Sequence, residues 1–157
     1  AGRRADLGEL RRHVGVAGAV GLVGDDLDAV VLRHLHALRA HGLVETADKY
    51  QIPWILLATI AGQESTFCRD GSFPDDSYNC WGWAIHTEYT KKFSSFEEGI
   101  EKVSAGLAGY YDRLKIDRES PIEDQIYKIK SNYNSTSKSW ANGVLYFVAE
   151  LADVATR

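Results

Sequence analysis

The 25 residues from Gly62 to His86, GQESTFCRDGSFPDDSYNCWGWAIH, bring one glutamate, two cysteines, two tryptophans and a histidine into a short span. Glu64 ends an apolar run. A carboxyl at the end of a buried helix, near Phe67, Trp81 and Trp83, would lose part of its hydration. Its pKa would rise and it would keep its proton near neutrality. A general acid needs that property, and cleavage of a glycosidic bond needs such a donor at the leaving oxygen. The competing reading of Glu64 is an ordinary exposed carboxylate at a helix end. Trp81 and Trp83 alternate about Gly82, so in an extended segment they would share one face and offer a flat apolar platform. Sugar rings pack their C–H faces on such platforms, although two tryptophans can equally be core. Sugar hydroxyls need donors and acceptors, for which Gln63, Tyr78, Asn79 and His86 are candidates, with Ser65 beside the acid.

Cys68 and Cys80 are the only cysteines and bracket RDGSFPDDSYN. Joined as a disulfide, they would pin a Gly/Pro/Asp/Ser loop with little core of its own and imply an oxidising compartment. Two reduced thiols, or half of a metal set, are the alternatives. A zinc shell would need further matched ligands, so no metal and no cofactor is expected. A second carboxylate is harder to find. Asp70, Asp75, Asp76 and Glu88 all fall in the same lobe, and spacing singles out none of them. Glu97 and Glu98 instead suit a helix start, where the dipole favours negative charge.

The elements that must position these groups read as helices. DDLDAVVLRHLHALRAHG has apolar residues at helical spacing from Leu27 to Leu38, with Asp25 or Asp26 as cap and Gly42 as stop. A short helix follows in ETADKY. Pro53 then opens an apolar helix that runs to about Glu64 and, being apolar nearly all round, is expected to lie at the centre of the core. Three further starts are marked by Ser95-x-x-Glu98, Ser120-Pro121-x-Glu123 and Ser139. Strand character is weak and confined to the region from Trp81 to Tyr89. The fold class is therefore mainly α, with a small loop or hairpin lobe over residues 68–93.

At 157 residues, with 45% hydrophobic and 25% charged residues and three prolines, one ordinary globular core is the expectation. A net charge of −4 argues against a phosphate-binding surface. A compositional seam lies near Glu45. All four tryptophans, eight tyrosines and five phenylalanines follow it, and four of five histidines precede it. Residues 1–45 are expected to pack as a helical segment on the domain formed by residues 46–157. LRHLHALRAHGLVE has the look of a winged helix-turn-helix, but six arginines are balanced by six acids before the seam, so no nucleic-acid partner is expected. His34 and His36 would point to different helix faces and, with His41, are read as solvated or partly buried side chains. No uninterrupted apolar stretch approaches the roughly 18 residues of a membrane span. RRHVGVAGAVGLVGDD only imitates a secretory signal, since acids precede it.

Residues 45 to about 151 resemble a known superfamily. ADKYQIPWILLATIAGQESTFC, SYNCWGWAIHT, KKFSSFEEGIEKVSAGL and SWANGVLYF are similar to the lysozyme-like peptidoglycan hydrolases, specifically bacterial glucosaminidase-type domains related to lytic transglycosylases. The resemblance implies a lysozyme-like helical domain whose loop or hairpin lobe flanks an active-site cleft, with Glu64 as catalytic acid. It places Asn79, Trp81 and His86 near substrate and Tyr133 beside the acid. Ala84 stands where the family usually has glycine. The implied activity is cleavage of β-1,4 glycan bonds of peptidoglycan by an endo-β-N-acetylglucosaminidase or muramidase. A lytic transglycosylase, or an inactive glycan-binding module, is the alternative. Related enzymes can work with one acid, because the substrate's 2-acetamido group or 6-hydroxyl captures the oxocarbenium-like centre. A monomer acting outside the cytoplasm, secreted or in the cell envelope, on glycan strands is the corresponding expectation.

Overall fold

The computed structural model describes residues 25–68, 77–83, 92–133 and 138–155, and the statements below concern these. They form six helices: α1 (Asp25–Ala40), α2 (Leu43–Lys49), α3 (Trp54–Ser65), α4 (Phe96–Leu114), α5 (Ile122–Tyr133) and α6 (Lys138–Ala155). The chain is mainly helical, and no strand occurs among the described residues. The expected strand signal from Trp81 onward is not realised over Trp81–Trp83, which lie in turns. Gly82 takes a left-handed φ of 59°, which an extended strand does not allow. Residues 84–89 lie outside the described residues.

α3 is the central element. Leu56 to Gly62 are all buried, as its all-round apolar sequence requires. Pro53 sits just before the first turn as N-cap, where its missing N–H costs nothing. α6 packs along α3 most extensively, and the pairing of Gly62 with Phe147, Gln63 with Gly143 and Glu64 with Trp140 shows the two helices running antiparallel. Gly62 permits the close crossing: a Cβ there would lie 2.8 Å from Phe147 Cγ.

The remaining helices clamp this pair. Gly42, at φ 84°, ends α1 and starts α2, so the expected stop is in place. The seam at Glu45 falls inside α2, whose Leu43 and Ala47 are fully buried, and is therefore no element boundary. Leu35 and Leu38 of α1 enter the same core as α3 and α6. Residues 1–24 lie outside the described residues. At the start of α4, Ser95 Oγ accepts the Glu98 N–H at 3.1 Å, as its sequence predicts. The return bond differs, because Glu98 Oε2 accepts from the N–H and hydroxyl of Ser94, one residue further back. α5 starts after Pro121, but Ser120 does not cap it with its side chain: its hydroxyl donates to Asp117 O. Instead Gln125 is buried and ties α5 to α4, accepting from the Tyr111 hydroxyl while donating to Ser120 O. Burial pushes the Tyr111 hydroxyl well above its ordinary pKa, so it remains a donor.

Candidate functional site

The last turn of α3 carries Gln63, Glu64 and Ser65. The helix stops there abruptly, because Thr66, Phe67 and Cys68 adopt left-handed φ values of 47°, 59° and 68° in succession. Such backbone is costly for residues with a Cβ and persists only where the surroundings fix it. Three contacts do so. Phe67 is buried and packs edge-on against Phe147, Ser65 Oγ accepts the Cys68 N–H at 2.8 Å, and Cys68 is disulfide-bonded to Cys80. The disulfide ties the end of α3 to the 77–83 segment. Closing a loop over a separation of 12 residues should stabilise the fold by about 2–3 kcal/mol through the unfolded chain. Urea unfolding of the Cys68→Ser/Cys80→Ser protein should show a loss of that size, and an unchanged midpoint would contradict it.

Glu64 is half-buried. Its Oε1 accepts the indole N–H of Trp140, from the first turn of α6, at 2.6 Å. Trp140 itself is buried. Burial raises the Glu64 pKa above the ordinary glutamate value, and the indole N–H pulls it part of the way back. One turn further along α6, Gly143 provides a notch into which Gln63 fits. A Cβ at Gly143 would fall 1.7 Å from Gln63 Oε1. Trp140 and Gly143, three residues apart on one helix face, thus receive the acid and its neighbour. Neither was singled out by sequence reasoning. The signal was the indole and the glycine at i and i+3 in SWANG, which becomes meaningful only when α6 is laid against α3.

The 77–83 segment is placed differently from the expectation. Asn79 is buried and brackets a turn, its Oδ1 accepting the Trp83 N–H at 2.9 Å and its Nδ2 donating to Trp83 O at 3.0 Å. Trp81 is fully buried and donates its indole N–H to Leu57 O at 2.9 Å. Ser65 is also buried, and its hydroxyl lies between Ala61 O and Cys80 O. In all three the side chain is buried and its polar atoms are engaged by the protein. The shared tryptophan face does not form. Trp83 turns onto α4, where its ring lies over Gly106 and 5.6 Å from the Tyr110 ring, and it remains half-buried. Tyr78 is exposed and meets Phe96 edge-on at 5.1 Å. Tyr133 ends α5. Its side chain, His86, Ala84, and the candidate second carboxylates Asp70, Asp75, Asp76 and Glu88 lie outside the described residues.

No family model, no curated protein and no solved structure matches this chain.

Among the described residues no group of three or more His, Cys, Asp or Glu side chains could hold a metal. His34 stacks on Phe67, and His41 Nδ1 lies 2.6 Å from Glu97 Oε1. That pairing holds the Glu97 carboxyl below its usual range. A cavity of about 330 Å³ lies between α1 and the disulfide, with His34, Leu38, Phe67 and Phe96 in its wall. Glu64 is not among its lining residues. No described helix is long and apolar enough to cross a membrane. What the site offers is one carboxyl with a raised pKa, held by a donor that cannot take its proton, at the end of a buried helix. That arrangement can deliver a proton to a leaving group.

Proposed function

We propose that the protein is a glycoside-cleaving enzyme acting on the β-1,4 glycan strand of peptidoglycan, with Glu64 as general acid. The observation that carries the reading is the desolvated Glu64 carboxyl, which keeps its proton to higher pH than a surface glutamate. The lysozyme-like resemblance of residues 45–151 supplies the substrate class. In the step proposed, the proton passes from Glu64 to the glycosidic oxygen as the C–O bond breaks with its electron pair going to that oxygen. The oxocarbenium-like centre is then captured by water or by the substrate's 6-hydroxyl, or first by its 2-acetamido group and then by water, and the Glu64 carboxylate takes back the proton that the attacking hydroxyl loses. The Cys68–Cys80 bond supports an oxidising, extracytoplasmic workplace.

The test is incubation of purified peptidoglycan with the protein, followed by mass spectrometry of the released fragments. New reducing ends would mean hydrolysis and would identify the sugar at the cut. Anhydro ends would mean transglycosylation. Retention on peptidoglycan without any fragment over long incubation would replace the enzyme by a glycan-binding module.

A further inference from the structure

We propose that Trp140 is the positioning residue of the acid: its indole N–H holds Oε1 of Glu64 and leaves Oε2 as the oxygen that carries and delivers the proton. The inference rests on the reading of Glu64 as general acid. The indole nitrogen is a donor only. In a protonated carboxyl the carbonyl oxygen is a better acceptor than the hydroxyl oxygen, so with Oε1 accepting the indole N–H at 2.6 Å the acid proton is favoured on Oε2. The bond therefore sorts the two carboxyl oxygens before substrate arrives.

The same bond gains strength during the reaction. While Glu64 is neutral, Trp140 donates to a carbonyl-like oxygen. As the proton leaves Oε2 for the glycosidic oxygen, negative charge spreads over both carboxyl oxygens and the bond becomes charge-assisted. An interaction stronger in the transition state than in the ground state speeds the chemical step. Trp140 is 2% exposed, so water does not readily replace its N–H when it is removed. The donor is also rigidly mounted, because the Gln63–Gly143 and Gly62–Phe147 contacts along the next two turns fix α6 against α3.

Two replacements of the full chain test this. Trp140→Phe removes the N–H with part of the ring. Substitution of Trp140 by β-(3-benzothienyl)alanine puts sulfur in place of the N–H and keeps the shape, and it decides the matter should the phenylalanine protein fail to fold by circular dichroism. The Glu64 carboxyl is titrated by carbon-13 NMR, and peptidoglycan turnover is measured against pH. The titration midpoint is expected to move up, and the alkaline limb of the rate profile should move up with it. The maximal rate should fall by roughly 10- to 100-fold. A slower enzyme with unmoved midpoint and limb would reduce Trp140 to packing and overturn the inference. If the midpoint moves but the unsubstituted protein releases no glycan fragment, the coupling stands and the assignment of Glu64 as an acid catalyst falls.

Discussion

Replacing Glu64 by glutamine is expected to lower the release of glycan fragments from peptidoglycan by about a thousandfold, within the roughly 10²- to 10⁴-fold that a positioned acid contributes. The amide has the same shape, and its oxygen can still accept the Trp140 N–H, so the α3–α6 contact should survive. Stability gives the variant a second signature. Because the folded-state pKa of Glu64 is raised, the folded protein binds this proton more tightly than the unfolded chain does. Stability contributed by the group is present at low pH. It is lost as pH rises from the unfolded value near 4.5 through the folded one. Glutamine carries no such loss. Glu64→Gln should therefore be at least as stable as the unsubstituted protein at pH 7, with its relative advantage shrinking as pH falls toward 4.5 and gone below it. Urea unfolding at the two pH values checks this. A variant distinctly less stable at pH 7 would mean that Glu64 is held as a paired carboxylate, contrary to the desolvated acid described above.

Trp81→Ala is expected to be the most damaging change to the fold. Trp81 is fully buried, its ring reaches Gly99 of α4, and its N–H satisfies Leu57 O on α3. Removing it leaves a cavity between the two helices, at a cost of about 3–5 kcal/mol. That is a large share of the roughly 5–15 kcal/mol available to a domain. Denaturant titration should show the loss even with no glycan present. A stable Trp81→Ala protein that has lost glycan affinity would restore the sugar-platform role that sequence alone suggested.

Local signals made much of the helical frame legible. Ser95 and Gly42 mark real helix ends because capping and left-handed backbone are decided within a few residues. The uniformly apolar α3 announced its central place for the same reason. The two cysteines, twelve positions apart, do pair. What depended on distant contacts was not legible. Trp140 meets Glu64 across 76 positions of sequence, so nothing near Glu64 pointed to it. The period-two reading of Trp81 and Trp83 failed for a related reason. Alternation places two residues on one face only in extended backbone, and Asn79 and Gly82 fold that stretch into a turn. The change of composition at Glu45 reflects which residues are used, while helix packing continues through it.

The most direct measurement is the fragment yield from purified peptidoglycan incubated in parallel with the unsubstituted protein and with Glu64→Gln, each shown to be folded by circular dichroism. Soluble glycan fragments from the first and essentially none from the second are expected. Equal yields from the two, or no fragments from either, would contradict the assignment of Glu64 as the acid that breaks the glycan.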